Sequence, residues 1–282
     1  MKLWMDIQRD LEGVMYDHER ILDAWHAGGV DGVVFGPLVF GQAKLSQNAQ
    51  SLPSAGLVAP TYDPNPAIYK RLGVEAPASP EHKLPEKRAL LEKTMTATKD
   101  RGMQVYIMYA DGGSGPGGSG HHLHDPQTTA SRVARMVDTL EHYPMADGVV
   151  MDGPEWGYEM APHHMNHRSY FFNDLPESVA PMAKDLGYDY AAMVAAKDRL
   201  LALFHNLDPK RIRSNARGGL MGAYHMLGAD ADLMSWLSFR TESLTRNFCQ
   251  MRAGVAANLD RPVRMGCGPR SAAFAPLCGY DF

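Results

Sequence analysis

Short apolar segments alternate with helix-like segments along most of this chain. The runs DGVVFGPLVF (31–40), MQVYIMYA (103–110) and GVVM (148–151) are rich in β-branched and aromatic residues and lack polar alternation. This pattern is typical of strands that are buried on both faces. A helical segment over residues 85–101 ends at Gly102, directly before the second of these strands. The alternation therefore predicts a parallel sheet that is covered by helices.

Further elements are predicted at the start of the chain and through its second half. KLWMDI (2–7) is predicted to be a first strand, and the helix after it is expected to stop at Gly28, because glycine is favoured just past a helix end. The helix before GVVM carries an apolar stripe, formed by Val133, Met136, Val137 and Leu140. Later strands are predicted at 211–217, 231–239 and 262–267. Later helices are predicted at 188–206, 219–228 and 241–258.

The order of these elements favours one fold class. About seven strand–helix units fit a single (β/α)8 TIM barrel over residues 1–282 better than a doubly wound sheet. A doubly wound dinucleotide-binding sheet carries a GxGxxG fingerprint after its first strand, and this chain has none there. The eighth unit is incomplete or irregular. Either the Pro-, Ser-, Ala- and Gly-rich excursion at 41–84 holds one more element, or the chain ends before the barrel is complete.

Composition excludes several classes of partner. The formal net charge of −4 and the pI near 6.3 give no reason to expect binding to nucleic acid. No apolar run approaches the roughly 20 residues of a membrane span, and the N-terminus lacks the apolar core of a signal peptide. The three cysteines share no metal-ligand spacing. We therefore expect a cytoplasmic protein with reduced thiols and no cofactor, and leave open whether it forms a homo-oligomer.

Two segments of the chain begin in the same way and differ at their ends. Residues 31–37 read DGVVFGP and residues 147–154 read DGVVMDGP. The shared leading residues, Asp31 and Asp147, precede their strands, at the end of a barrel that contributes stability rather than chemistry. Asp152 is the additional residue, inserted where the strand of the later segment, GVVM, ends. The comparison therefore predicts a structural role for the leading aspartates and singles out Asp152.

Asp152 and the acidic residues after it have the chemistry of a glycosidase site. Hydrolysis of a glycosidic bond uses one carboxylic acid to protonate the leaving oxygen and a second carboxylate as nucleophile or base. Asp152, at a strand end, suits the nucleophile. Glu155 on the following loop is the first candidate for the acid/base, and Glu159 is a weaker one. The alternative for Asp152 is a turn residue that caps backbone N–H groups of its own loop.

Other polar and aromatic residues follow predicted strands and suit a ligand with many hydroxyl groups. Carboxylates and amides bind hydroxyls, while Trp and Tyr rings pack on the apolar faces of sugars. The predicted substrate-binding residues are Tyr109, Asp111, His121, His122, Trp156, Glu159, Asn215, Arg217, Trp236 and Glu242.

Two histidine clusters offer a second interpretation. GHHLHD contributes His121, His122 and His124, and APHHMNH contributes His163 and His167 at i, i+4 spacing. On a helix such a pair presents two metal ligands on one face, although Pro162 and Asn166 disfavour a regular helix there. No metal site is assigned, and the clusters stay candidates for ligand contacts or for metal.

The segment GVVMDGPEW resembles the strand-end segment of α-L-fucosidases and of related uncharacterised glycosyl-hydrolase-like barrels. The resemblance implies that Asp152 is a retaining nucleophile and that Trp156 lies near the sugar. The proton donor of that family lies on a variable loop, so no residue here inherits that role. In contrast, the chitinase pattern DGxDxDxE fails, because Val150 stands where an acid is required.

These observations predict a glycoside hydrolase that acts on a small-molecule carbohydrate. One alternative is a metal-dependent hydrolase or isomerase on the same barrel that uses His121, His122 and His124. The other is a barrel that binds sugar without turning it over.

Overall fold

The computed structural model of the chain describes residues 2–7, 11–36, 62–79, 85–110, 125–152, 156, 171–173, 175–205 and 230–267. The chain divides into two compact units. The sheet unit comprises Met1–Ser114, Pro126–Gly153 and Gln250–Gly268. The helical unit, named for its described elements, comprises Gly115–Asp125, Pro154–Cys249 and Pro269–Phe282. The single domain over residues 1–282 stays a prediction.

Five parallel strands form the sheet, in the order β1-β2-β3-β4-β5. Their bounds are Trp4–Asp6 (β1), Gly32–Phe35 (β2), Gln104–Ala110 (β3), Gly148–Asp152 (β4) and Arg264–Cys267 (β5). Each was predicted as a strand from the sequence, and the parallel α/β class is confirmed. Because β4 pairs directly with β5, no further strand lies between them. The strand predicted at 211–217 and the helix predicted at 219–228 lie outside the described residues.

The helices begin and end largely where the sequence pattern places them. Those of the sheet unit are α1 (Leu11–Tyr16), α2 (His18–Ala27), α3 (Pro66–Arg71), α4 (Pro85–Asp100) and α5 (Pro126–His142). Gly102, just after α4, has a φ of +75°, a left-handed conformation that glycine adopts without strain. The predicted apolar stripe of α5 is buried along its length. Short α3 is the one described helix within the 41–84 excursion.

The prediction of a strand at 231–239 is wrong. This segment belongs to one helix, α8 (Ala231–Ala257), which absorbs the helix predicted at 241–258. Its buried residues Leu233, Trp236 and Phe239 recur every three positions, the spacing of a helix face rather than of a strand. Asp230 caps the helix, because its Oδ1 accepts hydrogen bonds from the backbone N–H groups of Asp232 and Leu233, each at 3.1 Å.

The remaining described helices belong to the helical unit. They are α6 (Ala180–Asp185) and α7 (Tyr190–His205), preceded by single 3-10 turns at Phe171–Asn173 and Glu177–Val179. Helix α7 agrees with the helix predicted over 188–206. In α8, residues up to Cys249 belong to the helical unit and residues from Gln250 to the sheet unit.

The two faces of the sheet differ in how their residues are covered. Odd-numbered residues such as Val33, Ile107 and Val149 are almost completely buried. On the other face Val34, Tyr106 and Met108 form a buried cluster, against which the partly buried Trp4 and Val150 pack. The face that carries Val34, Tyr106 and Met108 is thus the one with accessible surface, near the edge of the sheet.

The predicted structural role of the leading aspartates is confirmed. Asp31 accepts a hydrogen bond from the backbone N–H of Leu3 at 2.7 Å, and Asp147 accepts one from Val105 at 2.8 Å. Asp147 also pairs with Lys99 at 2.6 Å. Asp31 therefore ties β2 to β1, and Asp147 ties β4 to β3, at the N-terminal edge of the sheet.

The glycine after Asp147 permits close approach of two strands. A Cβ at Gly148 would lie 1.9 Å from the backbone oxygen of Arg264, whereas one at Gly266 would lie 3.7 Å from Val150. We expect Gly148→Ala to lower the free energy of unfolding by at least about 2 kcal/mol, because backbone cannot yield as a flexible side chain does. Gly266→Ala, a matched change on the neighbouring strand, should cost much less in urea denaturation. Equal losses for the two variants would contradict this packing.

Candidate functional site

Many of the predicted site residues lie outside the described residues. They are Asp111, His121, His122, His124, Glu155, Glu159, His163, His167, Asn215 and Arg217. Their roles stay predictions.

Asp152 occupies the strand end that the sequence predicted. It is the last residue of β4, paired with Ala110 at the end of β3. Both strands are flanked on each side by another strand. In parallel α/β proteins this carboxyl end of the strands is where ligands and catalytic groups collect.

Tyr109 lies in the buried face of the sheet unit. It is 4% exposed, and it pairs in register with Met151, which itself pairs with Cys267. Tyr109, Met151 and Cys267 thus belong to the odd-numbered face of the sheet, which is covered. A role for Tyr109 in binding substrate stays a prediction, and its burial is that of a core residue.

Trp156 and Trp236 are core residues of the helical unit rather than accessible ring platforms. Both are at most 1% exposed. The Nε1 of Trp156 donates hydrogen bonds to the backbone oxygen of Arg240 at 3.1 Å and to Ser243 Oγ at 3.0 Å. Trp236 lies within helix α8, so the strand end that was expected to present it does not exist.

The guanidinium group of Arg240 is enclosed by aromatic rings. It lies 4.6 Å from the ring centre of Phe171, 5.5 Å from that of Trp236 and 5.8 Å from that of Trp156. Arg240 is fully buried, and cations over ring faces are stabilised most where water is excluded. This arrangement, which we call the Arg240 cage, explains why the two tryptophans are buried.

Glu242 is exposed on α8 and accepts a hydrogen bond from the hydroxyl of Tyr188 at 2.9 Å. Burial, together with this bond to a carboxylate, raises the pKa of Tyr188 to about 12. Glu242 lies within helix α8, so its predicted position after a strand at 231–239 is wrong.

A cavity in the sheet unit brings together residues that were not predicted from the sequence. It has a volume of about 600 Å³, and its lining includes Trp4, Tyr106, Val150, Arg252 and Arg264. The rings of Trp4 and Tyr106 meet edge to face, with centres 4.5 Å apart. A weak sequence signal existed, since Arg264 interrupts the otherwise apolar run PVRMGC. Nothing local, however, indicated that residues from opposite ends of the chain share one cavity.

A second polar cluster lies between α3 and α5. The fully buried carboxylate of Asp138 accepts hydrogen bonds from the Tyr69 hydroxyl at 3.0 Å and from the Asn65 backbone N–H at 3.1 Å. Tyr62 donates to or accepts from Thr139 Oγ1 at 2.7 Å. Burial is the main cause that raises the pKa of both Tyr62 and Tyr69. The cluster ties the excursion segment to α5, and its groups are used in holding the fold.

Removing the charge of this cluster should destabilise the protein. We expect Asp138→Asn to lower the free energy of unfolding by about 1–3 kcal/mol, because one buried donor loses its acceptor. Glu141→Gln removes a charge from the exposed side of the same helix and should change the free energy of unfolding by less than about 0.5 kcal/mol. Thermal denaturation of the two variants checks this, and a loss confined to Glu141→Gln would contradict it.

Within the described ranges, no three His, Cys, Asp or Glu side chains are grouped so as to hold a metal ion. None of the helices in the described part of the chain is long and apolar enough to cross a membrane.

Comparison of the chain with protein-family models, with curated proteins and with solved structures gave no match. Similarity to known proteins therefore assigns neither a family nor an activity to this chain.

Proposed function

We propose that this protein is a glycoside hydrolase of the retaining type, with Asp152 as the nucleophile at the end of β4. The observation that carries the proposal is the position of Asp152. Two of the five described strands end in an acidic residue, β1 at Asp6 and β4 at Asp152, and of these β4 is the inner strand of the sheet.

The order of the strands supports a (β/α)8 barrel as the complete fold. A doubly wound sheet reverses its strand order at a switch point, whereas consecutive strands of a barrel are neighbours throughout. The five described strands are parallel and follow one another without reversal. Because each described strand is paired with its neighbours in the sequence, further strands of the proposed barrel would have to join at the outer edge of β1 or of β5.

The accessible face of the sheet supports a carbohydrate as the substrate. Asp152 follows Val150, which lines the cavity, by two positions in β4. The cavity also offers the partly exposed ring of Trp4, and aromatic rings pack well on the C–H faces of sugars. An extended strand advances by about 3.3 Å per residue, so Asp152 is about one sugar ring away from Val150.

The reaction needs a second carboxyl group, for which Glu155 is our candidate. In a retaining enzyme the two groups lie about 5–5.5 Å apart. Asp152 attacks the anomeric carbon while Glu155 protonates the leaving oxygen. Glu155 then deprotonates the water that releases the sugar from the aspartyl ester.

A panel of 4-nitrophenyl glycosides tests the proposal. We expect the purified protein to release nitrophenol from at least one α- or β-linked sugar, neutral or acidic, and to keep this activity in the presence of EDTA. Loss of activity with EDTA, restored by a divalent metal, would instead favour the metal-dependent hydrolase. No hydrolysis by the folded protein across the whole panel would contradict the proposal.

A further inference from the structure

We infer that the cavity of the sheet unit binds an anionic carbohydrate, whose carboxylate or phosphate contacts Arg252 and Arg264 while its ring packs beside Trp4. This inference rests on the proposed function and names the substrate class of that same site.

The described lining of the cavity carries a positive charge. Among its described lining residues, Arg252 and Arg264 are cationic and none is acidic. Within the described part of the chain, neither guanidinium group forms an ion pair or a hydrogen bond with another residue. Guanidinium groups form strong paired hydrogen bonds with carboxylates and phosphates.

Other arginines of the described chain differ in this respect. Arg101 pairs with Glu19 and Asp23, and Arg199 pairs with Asp230 and Asp232. Their charges are thus balanced within the fold. The two cavity arginines retain their full capacity to bind an external anion.

The position of Arg252 is determined by the packing of its helix. Its neighbours Met251 and Val255 are fully buried. Gly254 approaches Val133 of α5 so closely that an added Cβ would lie 2.9 Å from a methyl group. This end of α8 is therefore held against α5, with Arg252 on the exposed side of the helix.

The sheet leaves room for a ring between its aromatic and cationic sides. In register across the strands, Tyr106 pairs with Gly148, which pairs with Arg264. The central position of this row has no side chain. One row further, Val150 pairs with Gly266, which also has none. The backbone of Arg264 fills the space over Gly148, where an added Cβ would lie 1.9 Å from its oxygen, whereas a Cβ at Gly266 would meet only Val150 at 3.7 Å. The room for a ring therefore lies over Gly266.

Apolar and aromatic groups complete the site. Val34, Val150 and Met265 line the same cavity as the Trp4–Tyr106 pair. Such a lining suits the C–H faces of a sugar ring rather than a small inorganic anion. A ligand with a ring at one end and a negative charge at the other matches both features.

Binding of matched monosaccharides tests the inference. We would titrate D-glucuronate, D-galacturonate and D-glucose 6-phosphate against D-glucose and D-galactose, by calorimetry at low and high salt. At least one anionic sugar should bind about tenfold or more tightly than its neutral counterpart, an advantage reduced by salt. The uronate and phosphate arms identify which anionic group is recognised.

Substitution of the arginines supplies the second arm. Arg252→Gln and Arg264→Gln should each weaken the anionic sugar about tenfold or more. Arg246→Gln, an exposed position on the same helix that does not line the cavity, should leave the affinity unchanged. Circular dichroism checks that each variant is folded. If Arg264→Gln does not fold, Arg252→Gln alone decides the test, because Arg252 is exposed and should tolerate the change.

The outcomes separate this inference from the proposed function. Equal affinity for neutral and anionic sugars, or binding of the anion that is unaffected by Arg252→Gln, would overturn the inference. Hydrolysis of neutral glycosides without anion binding would leave the glycosidase intact and remove the anion site. Anion binding through the two arginines without any hydrolysis would support the site and contradict the glycosidase.

Discussion

Replacing Asp152 with asparagine is expected to lower kcat/KM for the hydrolysed glycoside by at least about 1,000-fold. The carboxamide has nearly the same shape as the carboxylate but cannot form the glycosyl ester, and loss of a nucleophile typically removes several orders of magnitude of rate. Asp152→Ala should be equally inactive, and added azide should partly restore turnover by attacking from the vacated side. Initial rates with the best substrate of the panel measure both effects.

Asp147→Asn is the matched control for this experiment. Asp147 precedes the same strand at its opposite end and bonds to Lys99 and the Val105 backbone. We expect this variant to be less stable, yet to retain kcat/KM within about threefold, since a structural carboxylate makes no contact in the transition state. Undiminished activity of a folded Asp152→Asn variant would contradict the assignment of the nucleophile.

Arg240→Ala is expected to have the largest effect on stability. The change empties the space between Phe171, Trp236 and Trp156 and removes a cation from three ring faces at 4.6–5.8 Å. Large truncations in a core cost about 3–5 kcal/mol, and desolvated cation–π contacts contribute about 2 kcal/mol or more. We expect a loss of about 3–5 kcal/mol in the free energy of unfolding, measured by urea denaturation.

Tryptophan fluorescence is a suitable probe of this transition, since Trp156 and Trp236 are both buried in the cage. The chain has two compact units, so circular dichroism should be followed in parallel to detect separate transitions. Arg246→Ala on the exposed side of α8 is the control, with an expected change below about 0.5 kcal/mol. Equal effects of Arg240→Ala and Arg246→Ala would contradict the structural role of the cage.

The inner strands β2, β3 and β4 could be predicted because extensive burial imposes an almost continuous apolar run. The helix ends at Gly28-Gly29 and at Gly102 could equally be predicted, because Gly29 and Gly102 adopt a positive φ that glycine accommodates without strain. The segment 231–239 was mistaken for a strand because a short apolar run fits either element. Asp230, a capping residue directly before that run, was the signal that should have decided for a helix.

The site was less predictable than the fold. The predicted structural roles of Asp31 and Asp147 were correct, because each role depends on a local motif, Asp-Gly before a strand. The burial of Trp156 and Trp236 was not predicted, because it arises from packing around Arg240 rather than from any local pattern. The cavity joins Trp4 to Arg264 through strand pairing across the whole sheet, and such long-range contacts leave no mark in a single sequence.

Trapping of the covalent intermediate is the most direct test of the glycosidase proposal. A 2-deoxy-2-fluoro glycoside of the sugar that the enzyme hydrolyses slows release of the glycosyl ester, so the intermediate accumulates. We expect intact-protein mass spectrometry to show one added fluoroglycosyl group and peptide mapping to place it on Asp152. An adduct on another residue, or hydrolysis that inverts the anomeric centre without any adduct, would contradict the account.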